Sequence, residues 1–464
     1  MEGDAVKQDD RYEFKPKRKS LQLAAPLAKA VVERERRRRT EAEQSPLMGR
    51  EGLTGAGCLH LREEEHGNGL LLVNGSLVVH TNPTALLYLK LIFAGEEDAR
   101  IVRKVTGQFK VRPAIARQDL ADLKADLERL ERGEPPVRGT RVEPFSTVTG
   151  APMRVDIAPT YRMGEKTSVT DVVRELYIDD WLKALDKLWN FGVPHVCITG
   201  GEPTLREDLV DFVEHAASLG MMVGLLTNGE RLGSHAFLGR LLDAGLAYVQ
   251  VSIASHDETI HSKILGTSGQ PKTVEGIKNC LREGMPVLAN VPITSDSEYD
   301  IEETVDFLVR LGVRSITVNP LDQGEKSMPD WMLSKALERA RKAARGRARV
   351  FYFGPVLGKA PAPAPPGEAG PVGDLSMADL EWGAGLVSLH VHPDGAITAG
   401  RSHATILGNV LTANWNMVWH HSLLKDARVR QAEGRKWRPL NELGFNGYPL
   451  FPGPKVTCQG PEDA

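Results

Sequence analysis

The stretch His195-Val196-Cys197-Ile198-Thr199-Gly200-Gly201-Glu202-Pro203 decides how the rest of the chain is read. Val196, Cys197 and Ile198 are an apolar run of the kind that forms a buried parallel strand, and the glycine pair ends it where a side chain would obstruct the close approach of a ligand. Thr204 then opens an amphipathic helix, with Leu205, Leu209, Phe212, Val213 and Ala216 at helical spacing. The unit is strand, glycine turn, helix, and the carboxylate of Glu202 at such a turn can receive an ammonium group. A lone Gly-Gly-Glu also reads as a tight turn with an acidic helix N-terminus, so the flanking sequence decides.

On either side the same alternation repeats. Candidate strands are Arg154 to Ala158, His195 to Thr199, Met222 to Thr227, Tyr248 to Ile253, Val287 to Pro292 and Ser315 to Val318. Between them the apolar residues fall at helical spacing near Ile178 to Asn190, Arg206 to Leu219, Ala236 to Asp243, Thr273 to Glu283 and Ile301 to Leu311. Such alternation specifies an α/β fold with a parallel sheet covered by helices. Thr227-Asn228-Gly229 and Val251-Ser252-Ile253-Ala254-Ser255 end the third and fourth strands, on the side that forms the mouth of a barrel.

These motifs resemble those of the radical S-adenosylmethionine (radical SAM) superfamily. The resemblance implies a partial (β/α)6 TIM-like barrel over residues 151–345, with Gly200, Gly201 and Glu202 in the motif that holds the amino group of SAM. Ser252 occupies the place from which the family holds the carboxylate or ribose of SAM. His261 and Gly266 match the family's His-x-x-x-x-Gly spacing, which helix capping explains equally well. One departure is decisive. Family members carry Cys-x-x-x-Cys-x-x-Cys after the first strand, and its three thiolates hold a 4Fe-4S cluster. Here Met163, Thr167 and Thr170 stand at those positions. A thioether is a weak neutral donor and a threonine hydroxyl does not ionise near neutrality, so the residues do not support the cluster that the family implies.

Residues 1–57 form a polar tail with a basic run, Arg34 to Arg39, lacking interleaved aromatic residues; a solvated tail is the expectation. Residues 58–132 form a compact unit. Leu70 to Val73 and Leu77 to His80 flank Asn74-Gly75-Ser76, a strong hairpin signal. Three helices follow, from Pro83 to Gly95, around Asp98 to Phe109 and around Ala116 to Leu130. The segment resembles the PqqD-like RiPP recognition element, a winged-helix-like domain, in Val-Asn-Gly-Ser-Leu-Val-Val-His-Thr-Asn-Pro-Thr-Ala and in Asp119-Leu120. That family binds an extended leader peptide along the edge of the hairpin sheet, with the third helix closing a groove. A structural wing without a peptide is the alternative.

Residues 133–150 read as a linker, as does the Pro/Ala/Gly-rich region 346–380. Residues 381–464 resemble the SPASM extension of peptide-modifying radical SAM enzymes in Ser388 to Gly395 and Leu407 to Val410. That extension binds auxiliary clusters through several cysteines, and here it holds only Cys458. His390 and His392 lie two apart, facing one side of a strand, but exposed histidines are the commoner outcome and no metal site is assigned.

The totals agree with this division. The 464 residues suffice for two or three domains, and a net charge of -3 gives no reason to expect nucleic acid or a membrane as partner. Four scattered cysteines write neither a disulfide framework nor a metal knuckle. No apolar run reaches the roughly 18 residues of a membrane span, and no signal segment opens the chain, so the expected location is the cytoplasm. Taken together, the expectation is a cluster-deficient relative that binds a leader or precursor peptide, paired with a catalytic radical SAM partner. The alternative is an enzyme that still binds SAM, through unusual cluster ligands or nonradical chemistry.

Overall fold

A computed structural model describes residues 47–51, 58–64, 67–74, 77–131, 149–164, 174–295, 297–321, 328–352, 387–401 and 405–425. Most of the tail read over residues 1–57, with its basic run, most of both linkers, Thr167, Thr170 and Cys458 lie outside them; Leu47–Glu51, read as tail, are a strand.

The first unit is an antiparallel sheet in the order β1 (Leu47–Glu51), β2 (Cys58–Glu63), β3 (Gly69–Val73), β4 (Leu77–Thr81). Asn74 turns the β3–β4 hairpin at a φ of 51°, which asparagine tolerates, and its side chain accepts from the Cys58 N–H at 2.8 Å. Three helices follow: α1 (Pro83–Phe93), α2 (Asp98–Gln108) and α3 (Pro113–Glu131). Pro83 occupies the first turn of α1, where its missing N–H costs nothing, and the Asn82 side chain caps it by accepting from the Ala85 N–H at 2.8 Å.

β3 is buried along its whole length because both faces of this sheet are covered. Leu59, Leu61, Leu71 and Val73 pack with Leu89, Ile101 and Leu127 of the helices. Leu70 and Leu72 point the other way and join the core of the barrel. Polar bonds fix that second contact. Buried His60 donates from Nε2 to the Gly220 carbonyl at 2.7 Å, and buried Arg62 donates from Nη1 to the carbonyls of Pro152 at 3.1 Å and Gly192 at 2.8 Å.

The second unit holds the six expected strands, β5 (Arg154–Thr160), β6 (His195–Gly200), β7 (Met222–Thr227), β8 (Tyr248–Ser252), β9 (Val287–Ile293) and β10 (Ser315–Pro320), parallel and in chain order. The helices between them are α4 (Ile178–Phe191), α5 (Leu209–Ser218), α6 (His235–Asp243), α7 (Glu258–Leu265), α8 (Gln270–Arg282) and α9 (Ile301–Leu311), and α10 (Asp330–Ala344) follows β10. Two further strands extend the parallel array. β11 (Arg349–Tyr352), inside the stretch read as a linker, pairs with β10. β12 (Ser388–Val391), read as part of the C-terminal extension, pairs with β5 so that His390 stands beside Asp156. The antiparallel β13 (Ala396–Thr398) and β14 (Gly408–Asn409) complete a ten-stranded sheet, and α11 (Trp415–Trp419) follows.

Strand alternation divides the sheet into two faces. Val155, Val196, Val223, Val249, Ala289, Ile316 and Leu389 pack against the helices. The intervening residues line the lumen. At its floor the Tyr248 ring lies over Gly224, where a Cβ would come within 2.1 Å of it, and the Tyr248 hydroxyl bonds His195 Nε2 at 2.9 Å.

Candidate functional site

The glycine turn at the end of β6 is built against the end of β5. The Gly201 N–H donates to the Thr160 carbonyl at 2.9 Å and the Glu202 N–H to the Arg162 carbonyl at 2.7 Å. Gly200 holds φ at 113°, and a Cβ on it would meet the Thr160 oxygen at 2.3 Å; one on Gly201 would meet the Arg162 oxygen at 2.2 Å. Glycine is therefore demanded by the neighbouring backbone, a different reason from the ligand approach expected from sequence. The helix also starts later than Thr204. Pro203–Leu205 form a 3-10 turn, and α5 begins at Leu209 after Arg206 has bonded the Pro159 carbonyl at 3.0 Å and paired with Asp208 at 2.7 Å.

Glu202 is buried and heavily bonded. Its Oε1 accepts from the Thr204 N–H at 3.0 Å, the Thr204 hydroxyl at 2.6 Å and the Thr227 hydroxyl at 2.7 Å, and its Oε2 accepts from the Asn228 N–H at 2.6 Å. A carboxylate offers about four lone-pair sites, so these donors nearly saturate it. Glu202 thus clamps the β6 turn to the end of β7, and what remains for a ligand ammonium is the free side of Oε2. Ser252 lies at the corresponding end of β8, half-buried, with Asn290 Nδ2 donating to it at 3.5 Å. Gly200, Gly201, Glu202 and Ser252 all stand at the carboxyl ends of parallel strands, the end at which open α/β sheets hold ligands. His261 is buried on α7, and Gly266 caps that helix at a φ of 70°.

A second polar group at the mouth was not legible in the sequence. Tyr161, just past β5, places its hydroxyl 3.0 Å from His390 Nε2 and 2.6 Å from His392 Nδ1. His392 Nε2 reaches the Thr398 hydroxyl at 2.9 Å, and that hydroxyl donates to the Gly400 carbonyl at 2.8 Å. The last bond orients the whole chain: Thr398 accepts from His392, His392 accepts from Tyr161, and Tyr161 accepts from His390. Burial, reinforced by His392, Arg401 and Arg154, pushes the His390 pKa down to about 3, and burial lowers His392 as well. Both rings are neutral at pH 7. Three of their four nitrogens are spent on this relay, which disfavours their use as metal ligands. Among the described residues no group of three or more His, Cys, Asp or Glu side chains could hold a metal ion.

Met163, at the first expected cluster-ligand position, is exposed. Of the cysteines, Cys197 lines the lumen on β6 and Cys280 sits in the helix-side core, where burial pushes its thiol up to about 12. The donor types at 163, 167 and 170 do not fit a cluster held by three thiolates.

Residues 160–308 match the model of the radical SAM superfamily. The PqqA peptide cyclase of Methylorubrum populi is 34% identical over 145 residues, 31% of this chain and 38% of that protein. The probable GTP 3',8-cyclase of Methanopyrus kandleri is 34% identical over 174 residues, 36% of this chain and 54% of that protein. The matches thus span 38% and 54% of these curated relatives. The crystal structure of Streptococcus suis SuiB bound to S-adenosylmethionine is similar at a TM-score of 0.57 and 16% identity, over 82% of this chain and 90% of that chain. SuiB bound to its precursor peptide SuiA gives a TM-score of 0.54 at 14% identity, over 82% and 89%. Residues 160–308 are thus a radical SAM superfamily domain, set in a mixed α/β fold whose parallel sheet is shared with SuiB.

Proposed function

We propose that this protein is a cluster-deficient radical SAM relative that binds a precursor peptide as a scaffold in modified-peptide biosynthesis, alongside a catalytic radical SAM partner. The observation that carries the reading is the replacement of the expected thiolates by Met163, Thr167 and Thr170 in a chain with only four cysteines. Reductive cleavage of SAM needs an iron held by soft anionic donors, and these residues supply none. The peptide half of the reading rests on the N-terminal sheet. Among the described residues β4 pairs only with β3, so its outer edge offers main-chain donors and acceptors to an added strand, with α3 in the same unit. Two relatives point the same way, since one is a PqqA peptide cyclase and SuiB has been crystallised with its precursor peptide SuiA. No helix among the described residues is long and apolar enough to cross a membrane.

A second reading keeps SAM. The fold is shared with SuiB bound to S-adenosylmethionine, and Gly200, Gly201, Glu202 and Ser252 stand at the strand ends where such a ligand would lie. On that reading the backbone of the turn and Ser252 hold SAM, with Glu202 fixing the turn. The test is calorimetric titration of the full chain with precursor peptides encoded beside its gene, and separately with SAM. Peptide binding without SAM binding is expected of a scaffold. No binding of any candidate peptide would sink the scaffold reading, and tight SAM binding would favour the second.

A further inference from the structure

Helix α10 turns small residues to the barrel and large ones to the solvent. Leu333, Ala336, Ala340, Ala343 and Ala344 enter the core. Trp331, Lys335, Glu338, Lys342 and Arg345 are all exposed and follow one another at steps of four and three residues. They therefore form one stripe along the outer face, about 21 Å long at a rise of about 1.5 Å per residue. Arg341, also exposed, flanks its basic end.

Two features of this stripe are unspent. The first is aromatic surface. Trp331 is 57% exposed, with Lys335 Nζ 5.1 Å from its ring centre, and Tyr299, in the turn before α9, is 75% exposed, with the Arg339 guanidinium 5.2 Å from its ring centre. The second is charge. Nearby, buried Glu298 is held by Arg339 at 3.0 Å, and Asp306 by Arg310 at 3.2 Å and Arg347 at 3.0 Å. Lys335, Arg341, Lys342 and Arg345 pair with no acid among the described residues. The dipole of a helix favours cations in its last turn, which accounts for one or two of them. It does not account for Trp331 at the opposite end, nor for like charges at a spacing where they repel one another. Carboxylates brought from outside relieve that repulsion, and an apolar side chain brought with them covers the ring.

Charge complementarity therefore asks for an anionic occupant, and its distribution selects the kind. A nucleic acid carries phosphates along its whole length and meets the field of the whole chain, whose net charge is -3, with Glu338 in the middle of the stripe. A protein segment places carboxylates only where the cations are.

We propose that the outer face of α10 docks an acidic segment of the catalytic partner protein, with an apolar side chain of that segment against Trp331. The surface lies outside the barrel and apart from the β4 edge, and it rests on the scaffold reading for its occupant.

The probe is the peptide acetyl-Glu-Glu-Leu-Glu-Glu-Leu-Glu-Glu amide, added to the full chain labelled with 5-fluorotryptophan. The 19F resonance of Trp331 is assigned by its loss in Trp331→Phe. Expected are a saturable shift of that resonance, an affinity that falls as salt is raised, and no binding of the analogue with Gln at every Glu. Lys342→Glu with Arg345→Glu should weaken the peptide about three- to tenfold, and Trp331→Ala about tenfold, with unfolding midpoints retained because all three side chains are exposed. The oligonucleotide dT10 should bind more weakly than the peptide. A Trp331 resonance that does not move, affinity that ignores these substitutions in folded variants, or dT10 binding as tightly as the peptide would each overturn the proposal. Calorimetric titration of the same variants with precursor peptides reports the scaffold reading separately, so failure of one is distinguishable from failure of the other.

Discussion

The seat of the N-terminal sheet on the barrel carries a titratable group whose effect on stability can be worked out. His60 is wholly buried, donates to the Gly220 carbonyl at 2.7 Å and lies edge-on to Trp189 at 6.4 Å between ring centres. Burial pushes its pKa from 6.5 down to about 4, against the smaller opposing pull of the Gly220 bond. A histidine held neutral in the fold takes up its proton more readily once unfolded, so the folded state is fully favoured above pH 6.5 and loses stability as pH falls toward 4. At about 1.4 kcal/mol per pH unit the interval amounts to about 3 kcal/mol from this one side chain. His60→Gln keeps a donor for the Gly220 carbonyl and removes the ionisation. Urea unfolding of the full chain, followed by circular dichroism at half-unit steps from pH 7 to 4, measures the difference between the two proteins. The stability difference should shift in favour of the glutamine variant by about 3 kcal/mol across that range. Two curves that stay parallel would refute the claim that His60 is sealed neutral between the sheet and the barrel.

Two other substitutions address the mouth. Glu202→Ala removes the acceptor of four hydrogen bonds and leaves the Thr204, Thr227 and Asn228 donors in a buried place, so a loss of about 3 kcal/mol in denaturant unfolding is expected whether or not SAM binds; a loss under 1 kcal/mol would contradict the clamp. Gly201→Ala would drive a methyl to 2.2 Å from the Arg162 carbonyl, and a cost of about 2 kcal/mol should follow as β5 and β6 are forced apart at their ends; an unchanged unfolding midpoint would show that this backbone contact is slack.

How far the sequence reveals this molecule depends on the range of the interactions. The six central strands are legible because each is a local apolar run between turn residues, and the helices because their apolar residues recur at helical spacing. Gly200 and Gly201 are legible as glycines but not for their reason, because the Thr160 and Arg162 carbonyls that exclude a Cβ come from a strand some forty residues earlier in the chain. The four donors on Glu202 include Thr227 and Asn228, which the fold brings from the next strand. β12 is a four-residue run that follows a stretch whose composition reads as a Pro/Ala/Gly-rich linker, so its place beside β5, and with it the relay from His390 through Tyr161 to His392, follows only from tertiary pairing. β11 was hidden for a related reason: four residues beside a Pro/Ala/Gly-rich segment carry too little pattern to declare a strand.

We propose that this barrel does not hold the cluster its relatives' chemistry implies. Iron and sulfide content after anaerobic reconstitution, with an absorbance spectrum of the same sample, tests it most directly. Essentially no iron or sulfide should be bound per chain, and no charge-transfer absorbance should appear. About four irons per chain, the content of one 4Fe-4S cluster, would contradict it and return the protein to the enzymes.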